Sequence, residues 1–155
     1  MRLFVLALLL SSPAYGKPVG TAAFHAIGEG LALDINGEGA KVDLSSGAYS
    51  VKLSEFKTGI ALRDTHLCKA LECDKYPKAV FTIDPAFVMK DGDNTFKGTM
   101  ELHGVKKPFS GQATIKGNKV FAIARLKLTD FGITPPDYKA AKVNNEVDIT
   151  IDLAL

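Results

Sequence analysis

Between Ala61 and Pro77 the chain reads ALRDTHLCKALECDKYP, which gathers Arg63, Asp64, His66, Cys68 and Cys73 into one short stretch. Imidazole, thiol and carboxylate groups this close are the raw material of a metal site, an activated nucleophile or a disulfide. The local pattern discriminates among the three. Asp64 stands before Thr65, His66 and Leu67 as a helix N-cap would, with a carboxylate able to accept backbone N–H groups. Leu67, Ala70 and Leu71 follow at i, i+3 and i+4, the apolar stripe of a helix that lies on a core. Tyr76-Pro77 stops such a helix and returns the chain to extended backbone. The pattern predicts a short helix over 64–74, capped by Asp64.

On that helix His66 and Cys73 share a face but stand about 10 Å apart along the axis. A zinc ion needs its ligands within about 2.0–2.3 Å, and Cys68 points roughly 140° away from Cys73. His25 and His103 are remote in sequence. No metal site is predicted. His66 and Cys68 also face apart, so a Cys–His nucleophile is not assembled. An enzyme using His66 as a base beside Asp64 is the weaker reading, and no catalytic residue is assigned. Asp130-Phe131-Gly132 has the letters of a kinase magnesium motif, but no glycine-rich loop or strand lysine accompanies it.

The first sixteen residues, MRLFVLALLLSSPAYG, set Arg2 before an apolar run from Leu3 to Leu10 and end in small residues. This predicts a signal peptide over residues 1–16, cleaved after Gly16, and one domain over 17–155 in the periplasm or secreted. The run falls well short of the roughly 20 residues a membrane span needs. The whole chain has 19 Lys and Arg against 17 Asp and Glu, interspersed, with no basic block longer than Lys106-Lys107. Nucleic acid, which requires a concentrated positive field, is not an expected partner. Export also bears on the cysteines. A Cys68–Cys73 bridge needs Cα atoms within about 6.8 Å, which a helix ending near Glu72 permits, and an oxidising compartment favours it over free thiols.

What must position these residues is mostly strand. Val147, Ile149, Ile151 and Leu153 alternate with Glu146, Asp148, Thr150 and Asp152, and Phe96, Gly98, Met100 and Leu102 alternate with polar residues in the same way. Phe109, Gly111, Ala113 and Ile115 make a third such face, and Val120, Ala122, Ala124, Leu126 and Leu128 a fourth. Shorter runs carry Tyr49, Val51 and Leu53, then Phe81 and Ile83 before Pro85 interrupts. His103-Gly104 and Gly117-Asn118 read as hairpin turns. Gly20 to Leu44 is glycine-rich and reads as two or three short strands.

Seven or eight antiparallel strands with one apolar face must wrap on themselves, so an all-β barrel of about eight strands with one capping helix is predicted. The inner face would hold Tyr49, Val51, Phe81, Ile83, Phe96, Met100, Leu102, Phe109, Ala113 and Ala122. Small residues among large ones suit either a cavity for one slender ligand or a tapered solid core. Spacing alone leaves both open.

Four segments in order, TGIALRDTHL (Thr58 to Leu67), KYPKAVF (Lys75 to Phe81), GTMELHGVKKP (Gly98 to Pro108) and DFGI (Asp130 to Ile133), resemble the YceI-like family of exported, lipocalin-like barrels that bind polyisoprenoid lipids such as quinones. The resemblance runs from about Val42 to Leu155. It implies a non-catalytic lipid carrier with an apolar tail inside the barrel and no cofactor beyond that isoprenoid or quinone-like guest. It also implies that Arg63, Asp64 and His66 lie at the junction of helix and barrel, in a mainly structural role, with His66 and Arg63 as the candidates for the guest's polar end. The N-terminal segment, with Phe24 as its lone aromatic, is compressed relative to the family and reads as a shortened first hairpin. The alternative is a solid barrel serving as a structural or stress-related interaction module. A homodimer is left open.

Overall fold

The computed structural model describes residues 16–30, 33–138 and 141–155. The leader reading rests on residues outside the described ones, apart from Gly16. In chain order the elements are β1 (Lys17–Gly30), β2 (Leu33–Ser45), β3 (Ala48–Lys52), α1 (Ala61–Leu71), β4 (Lys78–Ile83), β5 (Gly92–Leu102) and β6 (Val105–Lys116). They continue with β7 (Lys119–Lys127), β8 (Asp137–Tyr138), β9 (Ala141–Val143) and β10 (Glu146–Ala154).

Sequential antiparallel pairing joins β1 to β2 and on through β7; β10 then pairs with both β7 and β1. The result is a closed antiparallel barrel of eight strands with one short helix. The two-stranded ribbon β8–β9 attaches outside this ring, through β9 against the end of β1.

Alternation sets the register. Val147, Ile149, Ile151 and Leu153 of β10 stand opposite Leu126, Ala124, Ala122 and Val120 of β7, so the apolar faces of neighbouring strands coincide and point inward. Slipping this pair by one residue would turn Asp148, Thr150 and Asp152 into the interior. Two-residue turns lock the registers. Ser46-Gly47 joins Ser45 to Ala48, and His103-Gly104 joins Leu102 to Val105, with all four turn residues at positive φ as twisted hairpins demand.

Part of the small–large alternation is close packing. A Cβ on Gly98 would run into the Thr82 carbonyl and the Phe81 ring, and one on Gly111 would lie 2.6 Å from the Phe96 ring. These glycines let strands coil tightly while aromatic rings lie across them.

The N-terminal segment departs from its expectation. Instead of short strands and a shortened hairpin, β1 and β2 are the longest strands, at 14 and 13 residues. Gly20 faces the β10 backbone and Gly37 faces the Phe24 ring, and register shifts at Pro18/Gly20 and Ala22/Phe24 break the alternation. Glycines and bulges of this kind hide a strand's period without shortening it.

The helix is also shifted. It starts at Ala61, three residues before Asp64, and ends at Leu71, with Glu72 left-handed at φ 50°. Ile60 occupies the N-cap position without a side-chain cap. Asp64 is therefore not the cap. It sits in the first turn and accepts from the Thr58 backbone N–H and hydroxyl at 2.8 and 2.7 Å, pinning the approach to the helix instead.

Gly98→Ala should lower stability by roughly 1–3 kcal/mol, since neither the carbonyl nor the ring can withdraw without disturbing the ladder. Urea unfolding checks this; an unchanged midpoint would show that the strands yield freely.

Candidate functional site

The inward faces leave a cavity of about 480 Å³ along the barrel. Nine of the residues read from alternation, Tyr49, Val51, Phe81, Ile83, Phe96, Met100, Leu102, Ala113 and Ala122, line it. Phe109 does not. Half-buried, it packs against the core, with its ring 6.2 Å from that of Phe81, edge to face. Phe81 meets Phe96 at 5.6 Å in the same way.

Leu67, Ala70 and Leu71 of α1 close one end of the cavity. At that end stand Thr58, Arg63 and His66, so the dense stretch delivers its cation and imidazole to the cavity and its carboxylate elsewhere. Among the described residues no carboxylate pairs with Arg63. The Asp64 carboxyl is held below the usual carboxylate range, chiefly by the Thr58 hydroxyl and then by the Thr58 N–H. Partial burial pushes the Tyr49 phenol up, so its O–H stays protonated where it lines the wall. Among the described residues, no three His, Cys, Asp or Glu side chains converge as metal ligands would.

Cys68 and Cys73 are bonded to each other, with Cα atoms 4.9 Å apart. The left-handed turn at Glu72 brings them this close, and the Cys73 N–H donates to the Cys68 carbonyl at 2.9 Å. The bridge ties off the helix end, with Cys73 packed against the core.

Alternation missed several lining residues, Ala141 and Val143 of β9 among them. Ala22, Phe24, Ala26, Leu33 and Ile35 of the first hairpin also line the cavity; their period-2 spacing is visible once glycines and bulges are allowed for. Phe87 and Met89, in the irregular segment after β4, complete the opposite end, and nothing in their sequence pattern marks them. His103 was read only as a turn residue. Its Nε2 lies 2.5 Å from Glu72 Oε2 and its Nδ1 3.2 Å from the Phe131 carbonyl oxygen, while its ring packs 4.8 Å from Tyr76. It braces the helix exit against the barrel rim.

A family model described as the YceI-like domain matches residues 21–155. The chain belongs to the YceI-like family. UPF0312 proteins of Pseudomonas putida are 30% identical to it over 129 residues, covering 74% of this chain and 65% of theirs, so the chain spans about two thirds of the length of these curated relatives. Among solved structures, Burkholderia cenocepacia BcnA superposes with a TM-score of 0.61 at 16% identity, over 85% of this chain and 94% of that one. A polyisoprenoid binding domain from Saccharophagus degradans gives 0.57 at 14%, over 88% and 97%. A Campylobacter jejuni YCEI protein gives 0.58 at 17%, over 97% and 88%. At these identities the likeness is one of fold, the closed barrel with its helix.

Asp64 makes a pH-sensitive pin. Because its folded-state pKa is lowered, the stabilisation it contributes is present above the ordinary carboxylate pKa and fades as pH falls through the lowered value. Hydrogen exchange at the Thr58 amide should accelerate across that acidic range, relative to the intrinsic rate. In Asp64→Asn the acid-dependent step should vanish.

Proposed function

We propose that this YceI-like chain is a non-catalytic carrier, periplasmic or secreted, that holds an isoprenoid or similar long apolar lipid inside its barrel. The observation that carries the reading is the cavity of about 480 Å³ with a wall that is aliphatic and aromatic except at the helix end. This volume lies within the usual range for small-molecule sites, roughly 300–1,000 Å³. The solid-core alternative expects an interior filled by its own side chains, which the cavity does not favour. The polyisoprenoid binding domain among the structural neighbours is consistent with a lipid guest.

Transfer of an apolar tail from water into such a wall is favourable by about 25 cal/mol per Å² buried. A tail needs no directional contacts, so length and girth set affinity until the cavity is full. Orientation falls to the polar end. Arg63, with no carboxylate partner among the described residues, suits a head group with oxygen acceptors, and the His66 imidazole lines the same end. A charge-assisted hydrogen bond there contributes about 1.5–3 kcal/mol.

The direct test is lipid extraction and mass spectrometry of the protein purified from its own host. A lipid-free protein that also fails to take up added isoprenoids sinks the carrier reading. Ala113→Phe should abolish uptake while leaving the unfolding midpoint nearly unchanged, because the added ring enters vacant space. If instead it costs roughly 1–3 kcal/mol, the interior was already packed. Arg63→Met should weaken binding of an isoprenoid bearing a carboxylate or carbonyl head by about tenfold or more. The matching hydrocarbon should bind both proteins equally; equal loss for both would assign Arg63 to structure.

A further inference from the structure

The cavity has a second end, opposite α1, and there its wall reaches the surface. Among the described residues the exposed large apolar side chains include Ile27, Ile60, Leu62, Val88, Met89, Phe121 and Ile123. Of these, Met89 alone also lines the cavity. Met89 is 43% exposed and its neighbour Val88 is 66% exposed, whereas Phe87 turns inward to the wall. Met89 thus belongs both to the wall and to the surface, with exposed Val88 next to it in the chain.

The segment that carries these residues, 84–91, is irregular and is anchored at its two ends. Asp84 accepts from the Ala86 N–H at 2.9 Å, and the Asp84 N–H donates to Lys97. At the other end the Asn94 side-chain amide donates to the Lys90 carbonyl at 2.7 Å, and the Gly117 N–H donates to Asp91 at 3.1 Å. The last bond sets the β6–β7 turn beside the loop. Lys90 belongs to the loop and Lys116 and Lys119 flank the turn beside it, all three exposed and, among the described residues, none in an ion pair. The nearby carboxylates of Asp84, Asp91 and Asp93 keep their charge but are held close to the backbone by local hydrogen bonds, whereas a lysine's longer stem carries its ammonium further out.

We infer that the 84–91 loop is the mouth of the cavity and that it docks on a lipid bilayer, with Val88 and Met89 entering the interface and the three lysines resting on anionic head groups. The inference rests on the carrier reading. An apolar edge that is the cavity's own wall is best covered by the phase from which an apolar guest comes, and a bilayer both covers it and supplies it. Basic residues around an apolar tip are the combination that favours anionic membrane surfaces. A lipid's head faces the docked protein, so it enters first and ends beside Arg63 with the tail behind it along the apolar wall.

The test uses vesicles of phosphatidylcholine with or without phosphatidylglycerol, doped with geranylgeraniol, and the mature protein. Flotation reads docking; geranylgeraniol recovered on the protein reads uptake; delivery of the same alcohol from cyclodextrin reads binding without a membrane. Wild-type protein should float with the phosphatidylglycerol vesicles, more weakly with phosphatidylcholine alone, and less in high salt. Val88→Asp, at a position outside the wall, should cut flotation and the uptake rate from vesicles by about tenfold or more. It should leave uptake from cyclodextrin unchanged. Leu62→Asp, equally exposed at the helix end, should change none of these. A wild-type protein that does not float, a Val88→Asp variant that floats like wild type, or a Leu62→Asp variant that loses flotation instead, each overturns the docking. Failure of cyclodextrin delivery to wild type counts against the carrier reading itself, and flotation still decides the docking.

Discussion

The ladder between β1 and β10, from Gly20 opposite Leu153 to His25 opposite Asp148, is what makes this molecule a container. Without it the strands form a curled sheet with two exposed edges, each a row of unpaired N–H and C=O groups. With it, backbone polar groups are satisfied all the way round and the apolar face acquires an inside. Polar contacts flank this seam on the outer side, the Arg125–Asp148 ion pair at 2.8 Å on β7–β10 and the His25–Asp34 hydrogen bond at 2.8 Å on β1–β2. They are exposed and contribute little. Closure rests on the backbone ladder and on Val147, Ile149, Ile151 and Leu153 behind it.

A closed ring of eight strands has an interior whose size is set by strand number and tilt, not by the side chains that face it. Here the inward face mixes Phe81, Phe96 and Met100 with Ala113, Ala122, Gly98 and Gly111. The two glycines yield their space to neighbouring rings and backbone. The alanines do not, and the cavity lies against them. The same alternation thus serves packing in one place and vacancy in another, which is why it supports neither reading by itself.

The helix that closes one end has no fully buried residue, so burial alone holds it weakly. Three local ties compensate: Asp64 to Thr58 ahead of it, Cys68 to Cys73 at its end, and His103 to Glu72 across to the barrel rim. A lid built this way keeps its position while presenting Leu67, Ala70 and Leu71 to the interior. The opposite end is finished by a loop instead, with Phe87 inward and Val88 outward. The cavity is therefore polar and braced at one end, apolar and partly exposed at the other.

By itself the sequence determined the barrel, its strand faces and most of the wall, because alternation is a local property that survives any arrangement with one buried face. Phe96, Met100 and Leu102 could be placed without knowing what lay across from them. Where the period was broken, legibility failed: the bulged, glycine-bearing first hairpin looked short, and the helix start was misplaced because Asp64 bonds to a residue before the helix rather than to its own first turn. Tertiary structure alone decided that Phe109 packs edge to face on Phe81, that His103 reaches Glu72 thirty-one residues away, and that Met89 is both wall and surface. These depend on which distant elements meet when the ring closes, and no residue's near neighbours carry that information.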